Sequence, residues 1–305
     1  SSMLYMVIFG LPVAVVSQVI INYLTNFVLL AVPLFIFAAQ LMNAGKMTDR
    51  ILAFLRGIFG PVRGGLAHIN VVASMIFAGV SGAAVADASS VGTVMIKAMT
   101  DEGYEPDYAA AVSGASATVG PIIPPSVPMV VAGALAELSV ARLFIGGIVP
   151  GIMMGLSMMA VVGVIAHRRN HPKYDRMSAR EVVHRLMDSG ADLILPVVII
   201  GGIVFGVFTP TEGAGIAVLA ALLIGTVLHR DLTLKKILEC AKGTLVVTAE
   251  VLLIASVAIA FGWVLTYEHV PQTLISFIAG VSVSRHVILL LIILSLLLLG
   301  CMIAG

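Results

Sequence analysis

The sequence predicts an all-α protein that crosses a membrane many times, with two of its membrane segments broken midway. Three observations predict this. The 305 residues are 60% hydrophobic and 11% charged, with a mean hydropathy of +1.11, against the roughly 25% charged residues of a soluble domain. Charge-free runs cover 3–45, 64–86, 108–136, 143–167, 193–211, 251–267 and 286–305, and several reach the ~20 residues a helix needs to cross a hydrocarbon core. Two of the apolar stretches, 68–99 and 108–136, are interrupted by glycine, serine, aspartate or proline where a lipid-facing helix would be uniformly apolar. Soluble enzymes, disordered tails and nucleic-acid binders are thereby excluded. With 17 basic against 16 acidic residues there is no basic excess, and Cys240 and Cys301 stand too far apart for a metal or redox motif.

Helices rather than strands carry the runs, because every backbone group in lipid must be satisfied internally and these runs are long and continuous. The first run is too long for one span. Asn22, Thr25 and Asn26 divide it into expected helices at 3–20 and 27–44; the apolar stretch 3–16 lacks a basic leader and a cleavage site, so it is expected to be a span. At 47–59, Met47, Ile51, Leu52, Leu55, Ile58 and Phe59 recur at helical spacing opposite polar residues, which predicts an amphipathic helix lying in the interface. In 68–99 the middle stretch holds Gly79, Gly82, Asp87, Ser81, Ser89 and Ser90. Two short helices meeting at a break, a re-entrant hairpin, fit it better than one straight span. In 108–136 the string GPIIPPSVP begins at Gly120 and places four prolines in eight residues, which no continuous helix survives. Further spans are expected at 142–166, 191–208, 213–229 and 245–267, then an interfacial stretch near 270–280 and a last apolar run from His286.

If 64–100 returns to its own side, fifteen of the seventeen Lys and Arg residues share one face of the membrane, leaving Arg142 and Arg285 opposite. By the positive-inside rule that face is cytoplasmic. An internal repeat is visible at an offset of 223 residues: MTDRILAFLRG at 47–57 aligns with VPQTLISFIAG at 270–280, with the two copies on opposite faces, as an inverted repeat requires. The same offset sets Gly82 opposite Gly305, so a second hairpin is expected to begin where this sequence ends, and the chain reads as a fragment of a two-hairpin core.

Inverted repeats with broken helices describe secondary transporters, in which half-helix N-termini attract anions and hard oxygens hold Na⁺. The candidate sodium ligands are Ser81, Gly82, Asp87, Ser89, Ser90, Thr118 and Gly120; the candidate substrate-binding residues are Ser113, Ser116, Pro121, Pro124, Pro125 and Ser126. Asp87 stands out as an intramembrane carboxylate, with capping of the helix at the break as its structural alternative. For Ser113, Ser116 and Thr118 the alternative is a small-residue packing face. Glu212 in FTPTEGAG is expected to be a cap, and His68 a headgroup-level residue. The seven histidines have no metal-ligand spacing, so no cofactor is expected beyond Na⁺ as coupling ion.

The succession PLFIFAAQLMNAGKMTDR (33–50), RGGLAHINVVASMIFAGVSGAAVADASSVG (63–92), IKAMTDEGY (96–104), GPIIPPSVPM (120–129), LFIGGIVPG (143–151) and FTPTEGAG (208–215) resembles the large membrane subunit of tripartite ATP-independent periplasmic (TRAP) transporters. The resemblance implies an elevator-type, inverted-repeat fold with re-entrant hairpins. It also implies Na⁺-driven uptake of an organic acid delivered by a soluble periplasmic substrate-binding protein, a small four-helix membrane subunit as partner, and the bacterial inner membrane as location. It implies scaffold helices and an arm at 1–63, a transport-domain hairpin and broken helix at 64–137, a span and inter-repeat loop at 138–190, a second set of scaffold helices and arm at 191–284, and the start of a second hairpin at 285–305. SGAAVADASS is then the first hairpin tip and GPIIPPS the adjacent break. A self-sufficient Na⁺/dicarboxylate-type transporter of the same wider fold is the nearest alternative. An intramembrane aspartyl protease is a distant one, because Asp192, the second carboxylate it would need, has no partner motif.

Overall fold

The computed structural model describes residues 2–9, 12, 14–81, 84–174, 177–281 and 284–302. Among them every regular element is helical. Five helical stretches are long and apolar enough to cross a membrane: Phe27–Ala44, Val140–Arg168, Arg180–Val204, Pro210–Leu228 and Leu234–Tyr267. The chain is a polytopic, all-α membrane protein. It divides into two compact units, one of Leu24–Leu253 and one of Ser1–Tyr23 with Ile254–Gly305.

In the smaller unit the expected helix at 3–20 is two helices, α1 (Ser2–Ile8) and α2 (Ala14–Leu24). Pro12 lies between them; a proline inside a helix removes a backbone donor and displaces the preceding turn. Met6, Val16, Ala260 and Val264 form its apolar core.

The larger unit begins with Asn26, whose side chain accepts from the Val28 N–H at 3.0 Å and caps a 3₁₀ turn, Phe27–Leu30. Helix α3 (Ala31–Ala44) follows. Lys46 then turns the chain at φ 55° into α4 (Met47–Phe59), which buries Met47, Ile51, Leu52 and Leu55, the apolar face expected from the spacing. Arg50 fixes the start of α4 by donating to the Gly45 carbonyl and pairing with Asp231. Helices α5 (Gly65–Ser81), α6 (Ala84–Asp87) and α7 (Thr93–Asp101), the last two joined by a π-helical turn at Ala88–Gly92, cover the expected hairpin. Helices α8 (Pro106–Ala117) and α9 (Val127–Leu135) cover the expected broken segment, and α10 (Val140–Arg168) the next span. Helix α11 (Ala179–Val204) starts twelve residues before the expected 191. The reason is a capping box: Ser178 accepts from the Glu181 N–H while Glu181 accepts from the Ser178 N–H, so the polar residues 179–190 are already helical, and α11 lies on α4. Helix α12 (Pro210–Leu223) carries a second such box, Thr209 with Glu212, and Glu212 is the cap expected of it. Its small residues Gly213, Ala214, Ala217 and Ala221 are buried, and the helix packs closely on α3 and, at Gly213, on Ile203 of α11, the close approach that small residues allow in membranes.

The final helices, α13 (Leu234–Tyr267), α14 (Val270–Val281) and α15 (Arg285–Met302), bear on the repeat. At an offset of 223 the end of α3 at Ala44 matches the end of α13 at Tyr267, and the start of α4 at Met47 matches the start of α14 at Val270. The left-handed residue between them matches too, Lys46 at φ 55° and His269 at φ 53°. The aligned strings 47–57 and 270–280 thus belong to a matched helix–turn–helix.

At the start of α8, His171 packs between Tyr104 and Tyr108, with ring centroids 4.6 and 4.8 Å away, while Arg169 pairs with Glu105 and lies over the Tyr108 ring. Burial, reinforced by Arg169 and opposed by Glu105, holds the imidazole below its ordinary pKa of 6.5, and burial pushes the Tyr104 phenol up to about 12. The folded state thus binds this proton less readily than the unfolded chain. The contribution of His171 is intact above the unfolded value and is lost as pH falls below it. Thermal unfolding in detergent should show a midpoint that drops between pH 7.5 and 5.5, and less so in His171→Phe; an equal drop in both proteins would remove His171 as the cause.

Candidate functional site

Two helices that begin side by side set the frame: α5 and α8 pack along their length. Their seam is polar. Asn70 Nδ2 donates to Ser113 Oγ at 2.6 Å, Ser74 Oγ to Ser116 Oγ at 3.2 Å, and Ser116 Oγ shares its bonding with the Ser113 carbonyl at 3.1 Å. All four side chains are buried. Such rungs fix the register of two helices that lipid alone would leave free to slide. Asn70 and Ser74 were not among the expected site residues. Their spacing of four on an otherwise apolar helix was the available signal, since it places both on one face.

Asp87 ends α6 and is buried at 2% exposure. The chain continues through the π-helical turn, which packs on both α5 and α8; a Cβ built on Gly92 would sit 3.6 Å from both the Asp87 carbonyl oxygen and the Ser113 Cβ. The segment carrying Asp87 therefore runs alongside the α5–α8 seam. A π-helical turn interrupts the regular bonding pattern and is frequent at functional positions. Ser81 closes α5, and Ser89 and Ser90 lie in this turn; Gly82 lies outside the described residues.

The proline segment at 118–126 is not helical. Thr118 caps α8 and donates to the Ala115 carbonyl at 2.7 Å; Gly120 donates to the Ala117 carbonyl at 3.1 Å. Pro121 accepts from the Ser126 hydroxyl at 2.6 Å, and the same hydroxyl accepts from the Met129 N–H at 3.3 Å. Ser126 thus closes the loop and caps α9 at once. Pro124 and Pro125, joined by a cis peptide, are buried beside it. The loop is held from one side by α10, where glycines recur every fourth residue. Gly147 faces the Ile122 carbonyl oxygen and Met129, Gly151 faces Ile123, and Gly155 faces Met75 of α5. The glycine face lets backbone meet backbone, so the break is a defined structure rather than a loose kink.

Of the expected residues, the structure therefore joins Ser113 and Ser116 to Asn70 and Ser74 in one polar seam, sets the buried Asp87 in the segment that follows α5, and places Gly120, Pro121, Pro124, Pro125 and Ser126 in one closed loop directly after the helix that carries the two serines. His68 is buried: its Nδ1 lies 3.1 Å from the Gly64 carbonyl and its ring stacks on Phe59. Asp192 is fully buried and 3.2 Å from His229 Nε2, the partner of this carboxylate on the α12–α13 side.

Comparison with known proteins agrees with this architecture. The family described as "Tripartite ATP-independent periplasmic transporter, DctM component" matches residues 1–305. The chain is 39% identical over 284 residues to the sialic acid TRAP transporter large permease protein SiaM of Vibrio cholerae, covering 93% of this chain and 66% of that protein. It is 36% identical to the C4-dicarboxylate TRAP transporter large permease protein DctM of Pseudomonas aeruginosa, covering 90% and 64%, and 34% identical to the isethionate TRAP transporter permease protein DctMQ of Oleidesulfovibrio alaskensis, covering 95% and 46%. The chain spans about two thirds of the length of the first two and under half of the third. These relatives are named as transport permeases rather than enzymes, which removes the aspartyl protease reading. The sequence, the broken helices and the match over the whole chain together make this protein a member of the DctM family of TRAP transporter permeases.

Proposed function

We propose that the chain forms part of the large membrane subunit of a Na⁺-coupled transporter that imports an organic acid across a bacterial inner membrane. The acid arrives on a soluble periplasmic binding protein, and a small four-helix membrane subunit is the partner within the bilayer. What the names of the relatives share, from sialic acid to C4-dicarboxylates and isethionate, is a small organic acid. The observation that carries the reading is the buried Asp87 beside the α5–α8 seam, one helix away from a proline-broken segment. An ionisable residue inside a membrane segment is rare and marks ion or substrate paths, and hard oxygens beside broken helices are how Na⁺ is held in such proteins.

In this reading 64–100 is a re-entrant hairpin and the transport domain moves as an elevator. Ser81, Gly82, Asp87, Ser89, Ser90, Thr118 and Gly120 supply oxygens to Na⁺. The loop of Pro121, Pro124, Pro125 and Ser126 meets the substrate beside the N-terminus of α9, whose helix dipole favours a carboxylate. Ser113 and Ser116, already bonded to Asn70 and Ser74, hold the two halves of that site in register. Residues 46–63 and 167–188 are cytoplasmic, on the basic side.

The test is uptake of labelled organic acids into vesicles containing the full-length protein and its small subunit, with and without a Na⁺ gradient and with and without the binding protein. Uptake should require both. Na⁺-driven uptake without the binding protein would favour the self-sufficient transporter, and uptake indifferent to Na⁺ would overturn the site.

A further inference from the structure

Helices α8 and α10 face each other across a groove of about 290 Å³. Tyr108, Ala111 and Ala115 line it from α8, Ser157, Val161 and Ile165 from α10, and Val71 from α5. The alanines open it: positions 108, 111 and 115 stand one above the other on a helix face, and two of the three side chains end at Cβ. From 157 to 165 the chain rises about 12 Å along α10, against about 15 Å for one leaflet of hydrocarbon. The groove therefore starts at the C-terminal end of α10 and stops near the middle of that 29-residue, membrane-crossing helix. Leu156, Val161 and Val164 are exposed along the same helix, so the groove opens onto an apolar flank. Its mouth is charged. Arg169 lies over the Tyr108 ring, 5.7 Å from its centroid, and pairs with Glu105. Arg168, three residues after Ile165, and Asp107, four residues before Ala111, are both exposed, and that spacing carries each on from the face that lines the groove.

We propose that this groove is a lipid site: it holds one acyl chain of a phospholipid whose headgroup joins a phosphate to a primary ammonium. The phosphate meets Arg168 and Arg169, and the ammonium meets Glu105 and Asp107. Two features select this occupant. The slot is apolar, narrow and one leaflet deep, which suits a chain and leaves the headgroup at the mouth. The mouth carries two cations from the end of α10 and two carboxylates from the start of α8, so both ends of a zwitterion find an opposite charge. A purely anionic headgroup would meet the two carboxylates as well as the arginines, and a trimethylammonium has no N–H for the charge-assisted bonds a carboxylate accepts from a primary ammonium. Bound there, the lipid bridges α8 and α10 along a seam where alanine leaves them apart. The proposal needs a bilayer and no transport step, so it stands or falls separately from the reading above.

The experiment uses the full-length protein with its small subunit in lipid nanodiscs made of equal parts phosphatidylethanolamine, phosphatidylcholine and phosphatidylglycerol. Each lipid in turn carries a photoactivatable diazirine in one acyl chain, and the labelled peptides are identified by mass spectrometry. In the unsubstituted protein phosphatidylethanolamine should label 108–115 and 157–165 about fivefold more strongly than it labels the first half of α10, and about fivefold more strongly than either other lipid labels the groove. Ala111→Leu with Ala115→Leu fills the slot and should cut groove labelling by about tenfold; Ala110→Leu, exposed on the same helix but outside the lining, should leave it unchanged. Glu105→Gln with Asp107→Asn should bring phosphatidylcholine level with phosphatidylethanolamine while the groove stays labelled. Groove labelling no stronger than that of the α10 flank would mean that another part of the protein or the small subunit covers the groove, and would overturn the site. Equal labelling by all three lipids, or a preference for phosphatidylglycerol, would overturn the headgroup assignment. Both of these readings come from the unsubstituted protein and do not depend on whether a variant folds.

Discussion

Alanine at Gly147 is expected to collapse the fold around the proline loop, while alanine at the adjacent Gly146 is expected to be tolerated. A Cβ on Gly147 would overlap the Ile122 carbonyl oxygen and Met129; one on Gly146 meets nothing within 4 Å. Met129 can swing aside, but Ile122 offers backbone in a loop closed by the Ser126–Pro121 bond, so the loop itself must move. Overpacking of this kind costs about 1–3 kcal/mol, whereas replacing an unencumbered helical glycine with alanine gains about 0.5–1 kcal/mol. Thermal unfolding of the two variants in detergent should therefore move in opposite directions, and uptake should fall by about tenfold or more only in Gly147→Ala. Equal midpoints would mean that α10 does not brace the loop.

Asp87→Asn is expected to reduce Na⁺-driven uptake by about tenfold or more while the protein still inserts and unfolds at a similar temperature, because the swap removes a charge and leaves the shape. The raised Na⁺ requirement is the informative reading: a carboxylate that helps hold the ion weakens ion affinity when neutralised, so more Na⁺ should restore part of the rate. A variant with unchanged uptake and unchanged Na⁺ dependence would reduce Asp87 to a buried helix-end residue. Ser74→Ala is a useful companion. It deletes one rung of the α5–α8 seam without touching the charge, and its loss should appear as reduced stability at unaltered Na⁺ dependence.

Much of the molecule was legible in the residues. The five long spans, the amphipathic face of α4 and the broken segment before α9 follow from local rules, because charge-free length, helical periodicity and proline geometry act within a few turns of chain. Misplaced elements also had local causes: Pro12 divides the first helix, and the Ser178–Glu181 capping box moves the start of α11 back by twelve residues. Both signals stood in the sequence but were outweighed there by hydropathy, which measures where a helix can lie and not where it starts.

By itself the sequence determined the class of the protein, its helices and the repeat whose two turns share a left-handed residue 223 positions apart, since each of these depends on neighbouring residues or on the bilayer as solvent. Only the tertiary structure decided what those helices do to one another. It set Asn70 and Ser74 against Ser113 and Ser116, buried His68, joined Asp192 to His229 and laid Gly147 on the proline loop. Each of these pairs residues distant in the chain, and which side chains meet depends on the register and rotation of packed helices. Hydrophobicity leaves both undetermined in a membrane, where lipid and leucine are equally good neighbours; small residues and buried hydrogen bonds select among the possibilities.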